Sequence, residues 1–296
     1  MIEVSVVTAL FRPSGIDILL AGMRDQNFRN FELVIVDHRF ELRHDRIMEM
    51  AKKYLPDIQV THAPECRRNG IYYVGASANN TAFMLSEGRI VLLLLDYAYA
   101  PPDWIINHLK HHQDGRTRVA MCPHLYTYLP KGRIRLLQPV SDKEQELWFR
   151  PEDHPELPPH IRFEGENRGQ RCWEEDIFLK GGIIDEISLF HEPFDPSWLS
   201  FLRVREAPWN DPKAGMAPGV YGGEFFHAKN ESFPLELMLD VNGVDVQLEK
   251  SKGPWDTLLG KQLARAGAEL YLDPTNPVYC INPRPIMPSM PWGGFT

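Results

Sequence analysis

Two carboxylates stand at the ends of apolar runs. "FELVIVD" ends on Asp37, and "RIVLLLLD" ends on Asp96, just before the aromatic and proline-rich "YAYAPPDW". A carboxylate at a strand end can accept an N–H, bond a hydroxyl or help to hold a cation. It can equally make an Asx-turn or cap the next helix. Either acid alone favours the turn; two on one sheet edge, beside the loop that follows Thr8, point to a site. His108 and His112 in "WIINHLKHHQD" have i, i+4 spacing, which a zinc ion could use. No further ligand accompanies them, so an exposed helix face is the expectation. "WEED" gathers Glu174, Glu175 and Asp176, either an acid–base cluster or a solvated helix start. Cys66, Cys122, Cys172 and Cys280 show no metal-ligand spacing and read as reduced, mostly buried thiols.

The elements that must position these groups alternate along the first hundred residues. "EVSVVTAL" reads as a buried strand, and "GIDILLAGMRDQ" as a helix with Ile16, Leu19, Leu20 and Met23 on one face. "FELVIVD" is the second strand. "RHDRIMEMAKKYL" is the next helix, carrying Ile47, Met50, Ala51 and Tyr54 at helical spacing. "IQVTHAP" is a third strand, "GASANNTAFMLSEG" a helix closed by Gly88, and "RIVLLLLD" a fourth strand. Continuous apolar runs imply strands covered on both faces, and strand–helix alternation implies a doubly wound, mainly parallel α/β sheet. Ligands of such sheets bind beyond the carboxyl ends of the strands, the edge that holds Thr8, Asp37 and Asp96. The absence of a GxGxxG or Walker-type loop disfavours dinucleotide and P-loop folds.

Composition narrows the classes further. With 43% hydrophobic and 24% charged residues, the 296-residue chain is globular rather than disordered. A formal charge of -8 argues against a broadly basic nucleic-acid surface and leaves a local basic groove open. The first residues, "MIEVSVVTALF", lack the basic start of a signal peptide, and the run 90–95 is too short to cross a bilayer. A soluble, cytoplasmic protein is expected. Three parts are anticipated: 1–120, an insertion or lid over 121–215 rich in proline and charge, and 216–296 with a proline-rich tail. Trp148, Trp173, Trp198 and Trp209 in the insertion could stack on rings or serve as core.

At this point the sequence resembles a family. "VSVVTALFRP", "QNFRNFELVIVDHR" and "GASANNTAFMLSEGRIVLLLLD" look like the nucleotide-sugar-binding half of GT-A glycosyltransferases, family 2. The resemblance implies donor contacts from Thr8, Ala9, Phe11, Arg12 and Asp37, the carboxylate accepting the imide N–H of uracil. "SANNTAFMLSEG" matches the family's Ala-Arg-Asn-x-Gly run, which implies a donor contact from Asn80 at the asparagine, with Asn79 replacing the arginine. Arg67 and Arg68 could supply the missing charge, or form an exposed basic loop. "PGVYGGEFFHA" through "GPWDTLLGKQL" looks like the acceptor half, with Gly223, Glu224 and Trp255 near the acceptor and Asp256 as catalytic base or helix cap. Leu258 and Gln262 depart from the base motif.

The family's metal motif, Asp-x-Asp, here reads Asp96-Tyr97-Ala98, and Cys280 stands near the place of a late histidine ligand. A Mg²⁺ or Mn²⁺ ion held by Asp96 is therefore expected to be weak or dispensable. The implied activity is inverting transfer of a sugar from a nucleotide-sugar donor, UDP-linked by expectation. The acceptor hydroxyl would belong to a glycan, a protein, a small molecule or a modified nucleobase. A sugar-nucleotidyltransferase and a degenerate GT-A domain that only binds carbohydrate or nucleotide are the alternatives.

Overall fold

Val4–Leu10 form the strand β1, whose side chains alternate between two apolar layers. Val4, Val6 and Leu10 face one layer and Val7 faces the other, so the strand must be covered on both sides. The computed structural model describes residues 2–10, 15–37, 40–66, 75–126, 211–246 and 255–280. After β1 come α1 (Ile16–Arg24), β2 (Phe31–Asp37), α2 (Phe40–Tyr54), β3 (Gln59–Pro64), α3 (Gly75–Leu85) and β4 (Ile90–Leu94). The strands and helices read from the apolar periodicity of this half are thus present. They are followed by β5 (Ala98–Tyr99), α4 (Trp104–Lys110), β6 (Arg118–Met121) and β7 (His124–Tyr126). The later described residues form β8 (Gly219–Val220), β9 (Asn230–Pro234), α5 (Leu235–Asp240), α6 (Trp255–Arg265), β10 (Glu269–Leu272) and β11 (Val278–Cys280).

Among the described residues the main sheet has the order β3-β2-β1-β4-β9-β6-β10-β8. β1, β2, β3 and β4 pair in parallel, as do β6 and β10, while β9 runs antiparallel between β4 and β6. The expected mainly parallel sheet is therefore the observed one. One layer packs Leu19, Leu20 and Met23 of α1, Ile47 of α2, and Trp104 and Ile105 of α4 against the sheet. The other packs Phe83 of α3, Met238 of α5, and Leu259 and Leu263 of α6. A small second sheet, β5-β11-β7, lies beyond the carboxyl ends of β4 and β6.

Gly88 serves a purpose other than the expected helix closure. It follows the end of α3 and presses on β1, where an added Cβ would lie 2.5 Å from the Val4 carbonyl carbon. Its N–H donates to Ser5 Oγ (2.8 Å), and Ser5 Oγ donates to the buried Glu32 carboxylate (2.6 Å). This knot closes the edge of the sheet opposite the one that holds Thr8, Asp37 and Asp96.

His108 and His112 do not form the exposed face expected of them. Both are buried, because β9 lays its polar residues against α4. Asn230 Nδ2 donates to the Pro123 and Asn276 carbonyls (2.8 and 3.0 Å), so Oδ1 must be the acceptor for Trp104 Nε1 (2.7 Å) and His108 Nε2 (3.0 Å). His108 Nδ1 is then unprotonated and accepts from Ser232 Oγ (2.9 Å), which in turn accepts from His112 Nε2 (2.8 Å).

Burial pushes the His108 imidazole down to about 4, and burial beside His108 pushes His112 down to about 3. The unfolded chain takes up these protons near pH 6.5, where the native chain still refuses them. Fewer protons are bound in the native state, so stability should fall as pH drops from about 6.5 towards about 3. Urea unfolding of the protein and of His112→Gln across this range tests the point. Glutamine can still donate to Ser232 and does not titrate, so the variant should show a shallower slope; equal slopes would contradict this account.

Candidate active site at the carboxyl edge of the sheet

The carboxyl ends of the parallel strands bring together residues far apart in the chain. Thr8 lies near the end of β1, Asp37 ends β2 opposite Leu10, and Asp96 follows β4. Gly15, which enters α1 at φ +111, keeps this edge tight: a Cβ there would lie 3.0 Å from the Asp96 carbonyl oxygen. The positive φ and the close approach both require glycine. Ala9 is half-buried, and Asp96 and Thr8 are buried. Among the described residues Thr8 Oγ1 has no hydrogen-bond partner, which is uncommon for a buried hydroxyl and marks a place where a ligand could supply one.

Asp37 is more heavily engaged than its strand-end position suggests. Arg43 of α2 forks onto it, Nε donating to Oδ2 at 3.1 Å and the terminal nitrogen donating to Oδ1. His62 of β3 donates through Nε2 to Oδ2 (3.2 Å), and His44 Nδ1 lies 3.1 Å from His62 Nδ1. Asp37, Arg43 and His62 are all buried. The carboxylate thus anchors α2 to β2 and β3, whatever else it accepts.

On the opposite side the edge is built by α6. Because α6 leads into β10, which is parallel to β6, its N-terminus must lie at the carboxyl edge. Trp255 fixes the position: its indole covers Gly75 at the start of α3, where a Cβ would meet the ring at 2.6 Å. Asp256, the next residue, is half-buried in the first turn, and its Oδ1 accepts from the Thr257 N–H (2.8 Å). Gly223 lets the following turn approach α6, since its Cβ would lie 2.4 Å from the Lys261 nitrogen. Glu224 is exposed beside it. Asn80 grips the loop before α6 through both ends of its amide, donating to the Val244 carbonyl and accepting from the Val244 N–H, each at 2.8 Å.

Structural comparison places this arrangement. The mannosyltransferase PcManGT from Pyrobaculum calidifontis, solved in complex with GDP-Man and Mn2+, aligns with 94% of this chain at a TM-score of 0.51 and 16% identity. The chain has a GT-A glycosyltransferase fold. S. aureus TarS aligns with 95% of it, at a TM-score of 0.51 and 13% identity. TarS 1-349 in complex with UDP-GlcNAc gives 0.50, with 95% of this chain aligned at 13% identity. In these three alignments this chain matches 56%, 37% and 59% of the other chain. No protein-family model matches the chain, and neither does any curated protein.

Within the GT-A fold, the end of β4 offers fewer side-chain ligands than the family motif implies. Ala98, at the place of the second acid, pairs with Cys280, near the place of the late histidine, and both are fully buried. Partners in an antiparallel pair share a face, so two positions that would carry ligands are instead small buried groups side by side. Asp96 is the acid of that motif retained here, and waters and donor phosphates would have to complete the shell of a Mg²⁺ or Mn²⁺ ion. Asn79, at the place of the family arginine, is buried and donates to the Gly75 carbonyl one turn back.

A second set of groups on this edge has no signature in the sequence. His124, Asp211, Lys213, His227, Lys229 and Glu231 meet where β7 and β9 begin. Lys213 Nζ is fully buried, 2.7 Å from Glu231 Oε1 and 3.5 Å from Asp211 Oδ2. No spacing motif could have revealed them, since His124 and Asp211 are separated by 87 positions. Phe11, Arg12, Arg67, Arg68, the acidic cluster Glu174, Glu175 and Asp176, and Trp148, Trp173, Trp198 and Trp209 lie outside the described residues.

Asp37→Ala should be costly to the fold, contrary to what a bare strand end implies. It removes the buried carboxylate onto which Arg43 forks, a loss of about 3–5 kcal/mol. Pairing it with Arg43→Leu should recover part of that loss. Denaturant unfolding of the single and double variants checks this; an unchanged single variant would mean that Arg43 is not held there by the carboxylate.

Proposed function

We propose that this protein is an inverting, family 2-like glycosyltransferase that moves a sugar from a nucleotide-sugar donor, UDP-linked in our reading, to an acceptor hydroxyl. The observation that carries the reading is the GT-A fold with a carboxylate, Asp256, held at the carboxyl edge of its sheet by the Trp255–Gly75 contact. Two of the aligned proteins were solved with GDP-Man and UDP-GlcNAc, so nucleotide-diphosphate sugars are the donor class to expect here.

In this reading the residues take the roles that the family resemblance implies. The nucleoside lies over Thr8, Ala9 and Asp37, with Phe11 and Arg12 as the further contacts that the resemblance implies, and Thr8 gives its unpartnered hydroxyl to the donor. Asp37, at the end of β2, accepts an N–H of the base. Asp96 bonds a hydroxyl of the ribose or the sugar. The acceptor enters past Trp255, Gly223 and Glu224. Asp256 removes the proton from its hydroxyl as the oxygen attacks the anomeric carbon from the face opposite the diphosphate. The bond to the diphosphate breaks in the same displacement, and Arg68 and Lys229 stabilise the charge that develops on it. Asn80, read as a donor contact, has both ends of its amide bonded to Val244 and so acts on the donor through the position of that segment. One carboxylate suffices for this chemistry, whereas a glycosidase commonly uses a pair.

The alternative is a domain that binds nucleotide or carbohydrate without turnover, and the buried Ala98–Cys280 pair is the observation that favours it. A thermal-shift screen of nucleotide sugars, followed by a donor-hydrolysis assay, separates binding from catalysis, because a ligand of the native state raises the melting temperature.

Asp256→Asn tests the base. The amide can keep the contact to the Thr257 N–H, so the melting temperature should hold within the effect of a helix cap, about 0.5–2 kcal/mol. Turnover should fall by roughly 10²–10⁴-fold with donor affinity nearly unchanged. A stable variant of full activity would remove Asp256 from the mechanism.

A further inference from the structure

The carboxyl edge carries a cluster of ligand-type side chains that the proposed transfer does not use. His124, Asp211 and His227 each offer one ligand atom, and these atoms lie within 4.8 Å of one another. His124 and Asp211 are buried and His227 is half-buried. We propose that these three residues form a binding site for a late first-row divalent ion of the Zn²⁺ class, with coordination left open on the side of His227.

The donor set decides the class of ion. Two imidazole nitrogens and one carboxylate suit Zn²⁺, Co²⁺ or Fe²⁺, whereas Mg²⁺ and Ca²⁺ prefer an all-oxygen shell. Three protein ligands also leave at least one position for water or for an oxygen of a bound molecule, as catalytic rather than structural zinc sites do. The site is built in advance. The Asp211 carboxylate accepts from the His124 and Lys213 backbone N–H groups, both at 3.1 Å, and His124 begins a strand paired to β11.

The charges leave room for a cation. Two buried carboxylates, Asp211 and Glu231, face one buried ammonium, Lys213, which leaves one negative charge. A divalent ion would turn this into one positive charge beside Lys229, at the edge where GT-A folds bind phosphorylated ligands.

The rearrangement required is small. Tetrahedral bonds of about 2.0–2.1 Å place ligand atoms about 3.3 Å apart. His124 Nδ1 and Asp211 Oδ2, now 2.7 Å apart, must open slightly, and the half-buried His227 must swing inwards. The ring proton shared with Asp211 passes to His124 Nε2. The Lys229 ammonium, 3.4 Å from that nitrogen, turns towards solvent.

The opposing account is a purely structural network in which Asp211 caps the turn at Pro212–Gly215 and His124 merely bonds to it. Metal uptake separates the two, and it does so whether or not the protein transfers sugars. Untagged protein stripped with EDTA is equilibrated with Zn²⁺ or Co²⁺ alone, and bound metal, the visible Co²⁺ spectrum and the melting temperature are read. The expected result is one equivalent per chain, a Co²⁺ spectrum of low coordination number and a raised melting temperature. His227→Ala should weaken binding by at least about tenfold, while Asp96→Ala should bind as the native chain does. His227→Asn serves if the alanine variant does not fold. No stoichiometric uptake by the native chain would overturn the proposal. So would unchanged uptake in the His227 variant, or loss in Asp96→Ala alone.

Discussion

Asn230, Glu231 and Ser232 lie side by side in β9, fully buried in the middle of the sheet, and each can remain there only because another element satisfies it. Asn230 is met by Trp104, His108 and two carbonyls, Ser232 by His108 and His112, and Glu231 by Lys213. Glu231 also accepts the backbone N–H groups of His227, Lys229 and Asn230. An unmet buried polar group costs about 1–3 kcal/mol, and more if charged, so this strand fits in one register only. That register holds β4 beside β6 and sets where the late half of the chain meets the early half.

The consequence for the site is geometric. Once β9 is seated, the segment before it must sit at the carboxyl edge, with His227 and Lys229 near His124. Glycines then bring the elements of this edge to close range: Gly15 against Asp96, Gly75 against Trp255, and Gly223 against α6. Several positions where the resemblance implies ligand contacts therefore have a structural task as well. Asn80 clamps a loop, Gly223 permits a helix contact, and Asp37 neutralises a buried arginine. Asp256 and Thr8 are less committed, which makes them the clearer chemical candidates.

The electrostatics of the edge show a related shift. In the GT-A pattern the acids after the fourth strand concentrate charge for an ion. Here Asp96 stands there beside the paired Ala98 and Cys280, and a second group of charges lies further along, among Asp211, Glu231, Lys213 and the two histidines. No helix among the described residues is long and apolar enough to cross a membrane.

The early half was legible because its information is local. Apolar runs ending at Leu10, Asp37 and Leu94 are strands whatever surrounds them, and the intervening 3.6-residue periodicity gives helices that cover both faces. Their alternation is enough to place Thr8, Asp37 and Asp96 on one edge. The sequence could not determine which polar residues lie inside. His108 and His112 look like a solvent-facing pair until β9, over a hundred residues later, packs against them. The Arg43–Asp37 fork, the Ala98–Cys280 pairing and the His124–Asp211–His227 cluster are equally invisible along the chain. Each depends on contacts between distant segments, where burial changes the energy of a charge or hydrogen bond by more than any local propensity. Tertiary structure alone decides those.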